Sequence, residues 1–286
     1  MISIIVSSHK EDDFLKFSSS LQSTIGVAYE LIKIENSNQY SLAEAYNSGA
    51  QKAKFEILVF VHEDVTFNSQ DWGITLINLF DQVPTLGIVG VAGALIKSQL
   101  PTGWGTGTAW FDRINLIQAS DDGEEFQTTR KATESMEPVK VIDGVFLATK
   151  KKIWEKVKFD ESLAGYHLYD IDFSLRVTEA YLGILTYEIV LTHYSKGNYQ
   201  SEWVEKTLAY HLREDKKQLF DPDMSYASKS RRAWYKALTF GDISTSLRVE
   251  YLKHMGFDLL SCVHAFAFRF PVFGKRIFNL LSQIGL

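Results

Sequence analysis

Apolar positions in the N-terminal third of the chain switch repeatedly between two periods. Residues 2–6 form a short, mainly apolar run that suits a buried parallel strand, and it stops at Ser7, Ser8 and His9. Phe14, Leu15, Phe17 and Leu21 then recur at helical spacing across 11–23. Residues 29–34 predict a second strand, ended by Glu35, Asn36, Ser37 and Asn38. A helix is predicted over 41–53, with Ser41 as N-cap and Glu44 in capping-box position. A third strand over 56–61 ends at His62-Glu63-Asp64, and a helix over 71–81 and a strand over 86–91 follow. This alternation predicts an α/β fold: a Rossmann-like, mostly parallel central sheet with flanking helices. Ligands of such sheets gather beyond the carboxyl ends of the strands. Ser7-Ser8-His9, Glu35-Asn36 and His62-Glu63-Asp64 all fall there.

The middle of the chain changes character. Gly90, Gly93, Gly103, Gly105 and Gly107 crowd around Trp104, so the backbone is loose there or passes close to something. A polar stretch over 109–138 predicts a hairpin and a mobile loop. Regular structure resumes with a strand over 139–148, a short helix over 151–157, a helix over 170–181 and a strand over 184–191 that ends at His193. Ile171, Leu175, Thr178 and Leu182 are the expected inner stripe of the later helix. From Ser201 onward the pattern is helical, with Trp203, Val204, Leu208 and His211 or Leu212 on one face. The expected organisation is a domain over 1–200 and a C-terminal helical extension over 201–286.

Composition narrows the function. A hydrophobic share of 45% and an aromatic share of 13% exclude wholesale disorder. With a net charge of -5 and no basic stripe, nucleic acid is not an expected partner. An acidic balance still admits a phosphorylated ligand, because a metal ion supplies positive charge locally. The single cysteine, Cys262, excludes an internal disulfide and a cysteine-rich zinc site, which fits a reducing compartment. The N-terminus reads as a first strand rather than a leader, and no run of about 18 apolar residues occurs, so the expected setting is cytoplasmic.

Three places carry candidate chemistry. His62-Glu63-Asp64 puts carboxylates at the mouth of the sheet, where a hard cation bridging two phosphates needs oxygen ligands. Alternation along a strand gives His62 and Asp64 one side and Glu63 the other; the bland alternative is that acidic residues after a strand merely cap the next helix. His193, after a strand and before a polar glycine-containing loop, is a candidate ligand for a borderline ion such as manganese. Asp170 and Asp172 open a helix, where the macrodipole favours negative charge. Arg176 can pair with Asp172 four residues on, whereas Asp170 has no partner in sequence and suits a base taking a proton from a hydroxyl. Gly144, after Asp143, would let a ligand or a backbone approach closely. Trp104, Trp110, Tyr166 and Tyr169 could stack on sugar faces.

The segments Ala45-Tyr46-Asn47-Ser48-Gly49, Leu58 to Val65, Val141-Ile142-Asp143-Gly144-Val145-Phe146, Phe159-Asp160-Glu161 and Gly165 to Arg176, closed by His193, form an ordered set. In it the chain resembles the family 2 glycosyltransferases of GT-A fold, in particular the glycosyltransferase-like branch with a StrF-type domain. The resemblance spans about residues 1–200 and implies a metal-dependent, inverting enzyme that moves a sugar from a nucleotide-sugar donor. It implies that Ser7 and Glu35 hold the base and ribose, that Asn47 lies beside the nucleotide, and that Asp143 and Gly144 line the donor sugar and acceptor. His62 falls where the family has a nucleotide-contacting aspartate, Asp64 on its metal-binding aspartate, Asp170 on the general base, and His193 on a histidine completing the metal site. The implied metal is Mn2+ or Mg2+, the favoured donor a UDP-sugar, and the acceptor a saccharide or lipid-linked hydroxyl in bacterial surface glycan synthesis. Two positions depart from the pattern: His62 replaces an aspartate, and Tyr169 replaces the glutamate before the base.

Rival readings follow from those departures. One is a nucleotide-sugar-binding or scaffolding protein without turnover, which His62 supports. Another, a metal-dependent phosphoesterase, would want two metals and more ligands. The phenylalanine-rich tail from Leu247, punctuated by Arg269, Lys275 and Arg276, suits an amphipathic helix on a membrane surface. Pro271 and Gly274 interrupt it, which suits helices packing on the catalytic domain or on a second copy.

Overall fold

The computed structural model describes residues 1–120, 123–129, 134–195, 200–239 and 243–256. The chain divides into two compact units, Met1–Lys97 with Phe111–Lys196, and Ser98–Trp110 with Gly197–Leu286.

The first unit opens with β1 (Ile2–Ser8), α1 (Glu11–Thr24), β2 (Tyr29–Glu35), α2 (Leu42–Lys52), β3 (Ile57–His62), β4 (Val65–Phe67), α3 (Trp72–Gln82) and β5 (Leu86–Gly90). It continues with β6 (Ala92–Ala94), the hairpin β7 (Asp112–Ser120) and β8 (Gly123–Thr128), then β9 (Met136–Pro138), β10 (Val141–Ile142) and β11 (Phe146–Lys150). α4 (Lys151–Val157), α5 (Tyr169–Thr178), β12 (Leu182–Thr186) and β13 (Leu191–His193) complete it.

One sheet runs β2-β1-β3-β11-β5-β12-β9, the other β10-β6-β7-β13-β4 with β8 on β7. In the first sheet β2, β1 and β3 are parallel, as are β5 and β12, while β11 lies antiparallel between β3 and β5. The register aligns Ser7 with both Ile34 and His62, so the polar strand ends stand level. The Ser41–Glu44 capping box forms at the start of α2 as the sequence predicts, fixing where the chain leaves the layer of strand ends. Beneath that layer Ile5, Tyr46, Phe60, Leu147, Phe159 and Tyr169 belong to one buried cluster.

Two expected strands are each broken in two. The 139–148 segment splits at Asp143-Gly144-Val145, where the Asp143 carboxylate accepts from the Val145 amide at 2.7 Å and turns the chain from one sheet to the other. The 184–191 segment splits into β12 in the first sheet and β13 in the second. Apolar runs record burial but not the sheet that buries them. α5 lacks the expected single stripe. Tyr169, Ile171, Asp172, Phe173, Ser174, Leu175 and Val177 are all buried, so the helix is enclosed on most of its circumference, and Leu182 lies outside it at the exposed start of β12.

The second unit contains α6 (Ser201–His211), a 3-10 turn, α7 (Ala227–Thr239) and α8 (Thr245–Met255). Its core joins Leu100, Trp203, Val204, Leu208, Trp234 and Tyr251. Residues Ser98–Trp110 belong to this unit, although the sequence reading keeps them in the first domain. Close approach accounts for their glycines: a β-carbon on Gly103 would stand 2.9 Å from the Trp234 ring. Of the amphipathic tail expected from Leu247, the part after 256 lies outside the described residues.

Candidate active site

Backbone pairing assembles the site at the end of β3. Glu63 turns inward and its carboxylate accepts from the His9 and Lys10 amides at 3.1 and 3.3 Å, with His9 Nδ1 2.7 Å away. Glu63 therefore caps the entry to α1, with its negative charge at the positive end of the helix. The helix it meets precedes β3 in the chain, so it is not a cap on the next helix. His62 and Asp64 face the other way, as alternation requires.

β13 pairs with β4 so that His193 stands opposite Val65, and the Tyr194 amide donates to the Asp64 carbonyl at 2.8 Å. This pairing carries His193 beside Asp64. His193 Nε2 lies 3.6 Å from Asp64 Oδ1 and His62 Nδ1 3.9 Å from the same oxygen. One donor atom from each of the three falls within 4.8 Å of the others. These gaps are too long for hydrogen bonds but suit donors converging on one ion, which stand roughly 3–4 Å apart when each binds at about 2.0–2.2 Å.

Asp64 Oδ1 is buried and has no hydrogen-bond partner among the described residues. A buried carboxylate oxygen left bare is costly, and a shared cation removes the cost. The donor set fits a divalent metal. Burial, then the neighbouring His62, holds the His193 imidazole below its ordinary pKa, which keeps it neutral and able to ligate. Beside Asp64 opens a cleft of about 260 Å³ whose wall includes Asp13, Lys16, Thr66 and Tyr194.

Asp170 lies in the first turn of α5, two residues after Leu168, which is in a left-handed conformation. Sequence leaves it without a partner, yet the structure pins both oxygens: the Gly144 amide donates to Oδ2 and the Ile171 amide to Oδ1, each at 2.9 Å. Burial, with the nearby Asp143 charge second, pushes its carboxyl up to about 6. Gly144 is needed at its position, because a β-carbon there would sit 1.9 Å from the Tyr169 hydroxyl. Asp172, by contrast, is buried and paired with Arg176 at 2.6 Å, as its four-residue spacing predicts.

Ser7 and Glu35 stand at neighbouring strand ends. Ser7 Oγ accepts from the buried Asn36 side chain at 3.1 Å, and exposed Glu35 pairs with Lys33 at 2.8 Å. Asn47 lies on α2. The resemblance implies a place beside a nucleotide, but its side chain is buried and fully engaged within the protein. Its oxygen accepts from Trp154 Nε1 and the Phe159 amide, both at 3.0 Å, and its nitrogen donates to the Phe159 carbonyl at 3.0 Å and to Glu161 at 2.8 Å. It bolts α2 to the Phe159-Asp160-Glu161 loop.

The aromatic candidates separate as well. Tyr169 is buried and cannot stack on a sugar, and Trp104 and Trp110 belong to the second unit. Tyr166 stays exposed, with its hydroxyl 2.6 Å from Asn38 Oδ1. Sequence reasoning missed the contact between the Tyr169 hydroxyl and His62 Nε2, at 3.0 Å. The signal available was that these are the two positions where the chain departs from its family's pattern.

The mixed α/β fold with its two sheets matches that of GT-A glycosyltransferase structures. The chain belongs to the glycosyltransferase-like family, whose model matches residues 1–220. Among solved structures it is similar to GalNAc-T7 with UDP, GalNAc and Mn2+, with a TM-score of 0.54 and 12% identity over 88% of this chain and 54% of that one. The chain thus spans about half the length of that structure. It is also similar to the mannosyltransferase PcManGT from Pyrobaculum calidifontis in complex with GDP-Man and Mn2+, with a TM-score of 0.48 and 12% identity over 94% of this chain and 86% of that one. No curated protein matches the chain by sequence.

Proposed function

We propose that this protein is an inverting glycosyltransferase that moves a sugar from a nucleotide-sugar donor to an acceptor hydroxyl. The observation that carries the reading is the bare, buried Asp64 oxygen facing His193 and His62 at the strand ends, with Asp170 fixed on the adjoining helix. Asp64 and His193 would hold a divalent ion, Mn2+ or Mg2+. Such an ion supplies positive charge against the departing diphosphate.

The protein's own groups do the rest. Ser7 and Glu35 would meet the nucleoside, and a UDP-sugar is the favoured donor. Asp143 and Gly144 line the sugar side. Asp170, held by two amides, accepts the acceptor's proton as the hydroxyl attacks the anomeric carbon from the face opposite the diphosphate. A carboxyl raised to about 6 is a stronger base than an ordinary aspartate and is still ionised at neutral pH. Single displacement inverts the anomeric configuration.

The proposed acceptor is a saccharide or lipid-linked hydroxyl in bacterial glycan synthesis, and the proposed setting is cytoplasmic, at the membrane's inner face. No helix among the described residues is long and apolar enough to cross a membrane. His62 favours a second reading, a nucleotide-sugar-binding protein without turnover. Isothermal titration with UDP, GDP, CDP and dTDP, with and without Mn2+, tests the proposal. Metal-enhanced binding of one nucleotide supports it, and binding of none overturns it. Turnover lost in Asp170→Asn with nucleotide binding retained separates an enzyme from a binding module.

A further inference from the structure

The second unit holds a cavity of its own. It measures about 400 Å³, within the roughly 300–1,000 Å³ typical of small-molecule sites, and every residue lining it belongs to that unit. Its chemistry is two-sided. Leu208 of α6, Leu212 just after it, Met224, and Met255 at the end of α8 supply an apolar wall, of which Leu212 and Met224 are exposed. Lys217 of the 3-10 turn, Arg231 of α7 and His254 of α8 supply the polar part. Among the described residues no aspartate or glutamate lines the cavity.

Arg231 is the fixed cation. Its Nε donates to the Met255 carbonyl at 2.6 Å, at the negative end of α8. Lys217 and His254 meet carboxylates set outside the wall, Glu214 at 2.6 Å and Glu250 at 3.0 Å. Both pairs lie at the surface, where an ion pair contributes little, so an anion in the cavity can displace the carboxylates. Charge complementarity thus selects an anion, and the apolar wall selects one that carries a hydrocarbon chain. A divalent cation would find no carboxylate there.

We propose that this cavity binds an anionic amphiphile, a phosphate on an apolar chain, with Arg231 and Lys217 on the phosphate and the leucine–methionine wall against the chain. The planar guanidinium matches phosphate oxygens with parallel N–H donors, and the lysine adds a point charge. The site is independent of the strand-end cation site.

The test uses the full chain, labelled with 13C at its methionine methyls. Of its four methionines, Met224 and Met255 line the cavity, while Met1 and Met136 belong to the first unit. Octyl phosphate should shift the Met224 and Met255 signals and leave the other two in place. In calorimetric titration it should bind at least about tenfold more tightly than inorganic phosphate or octanol. Arg231→Gln and Lys217→Glu should each weaken it about tenfold or more, the scale of a lost hydrogen bond to a charged group. Sedimentation with phosphatidylcholine vesicles, with and without phosphatidic acid, distinguishes the sources of such a ligand. Retention by phosphatidic acid that both variants lose supports a lipid headgroup, and octyl phosphate binding without retention supports a free amphiphile. Octanol bound as tightly as octyl phosphate marks a groove for an apolar segment and overturns the proposal. Met224 and Met255 signals that stay in place, or all four moving alike, overturn it too, even if Arg231→Gln fails to fold.

Discussion

Two groups of polar side chains in the first unit are treated in opposite ways. Glu63 and Asn47 are buried with their acceptors occupied by backbone amides or a tryptophan N–H. Asp64, next in sequence to Glu63, has a buried oxygen with no hydrogen-bond partner and two imidazoles just beyond hydrogen-bonding range. A satisfied buried group holds the fold together, whereas an unsatisfied one at a strand end marks where a ligand completes the structure. Carboxylates that look alike in a tripeptide thus separate into one occupied by backbone amides and one left open, the proposed metal ligand.

The largest effect expected from that division is at Asp64. Asp64→Ala should cost about 10³-fold or more in kcat, since a metal contributes several kcal/mol of charge stabilisation, and nucleotide titration should lose its manganese dependence. The fold should remain, read as an unchanged melting temperature in metal-free buffer. Asp170→Asn comes next, lowering kcat by about 10²- to 10⁴-fold as loss of a general base does, with nucleotide affinity kept. Asn47→Ala inverts the pattern. It leaves several buried partners unpaired and should destabilise by roughly 2–4 kcal/mol in urea denaturation, while whatever folds keeps its manganese affinity. Glu63→Gln keeps shape and loses charge at the α1 entry, so a stability loss of about 1 kcal/mol is expected, without change in metal binding.

Acidity gives a gentler test of the same contrast. The Asp170 carboxyl, raised to about 6 by burial and by Asp143, must be ionised to accept a proton. The kcat/KM profile should therefore fall as pH drops through about 6. Stability carries the opposite sign, because the native state holds this proton more tightly than the unfolded chain does. The group's contribution is full below the ordinary aspartate range and is lost as pH rises through about 6. Asp170→Asn should accordingly melt higher relative to wild type at pH 7 than at pH 4, in parallel calorimetric scans.

Much of this was legible because it is local. The Ser41–Glu44 box, the Asp172–Arg176 pair and the opposite facing of Glu63 and Asp64 all follow from spacings within one or two turns or one strand. What sequence missed is set by partners far along the chain. Asn47 is satisfied by Trp154, Phe159 and Glu161, and nothing near position 47 announces them. The strand breaks at 143–145 and 187–190 depend on which sheet receives the next residues, which an apolar run does not encode. The departures at His62 and Tyr169 read as separate losses in sequence, yet they touch in the structure. Each removes an acidic residue of the family's pattern, and together they form one hydrogen-bonded unit.

The central claim is that Asp64 and His193 share a cation that completes the strand-end site. Crystals soaked in MnCl2 and measured at the manganese absorption edge test it most directly. The account predicts an anomalous peak within about 2.0–2.4 Å of Asp64 Oδ1 and His193 Nε2. A peak bound elsewhere, or none at saturating manganese while the Asp64 oxygen is satisfied by a protein group, would contradict it.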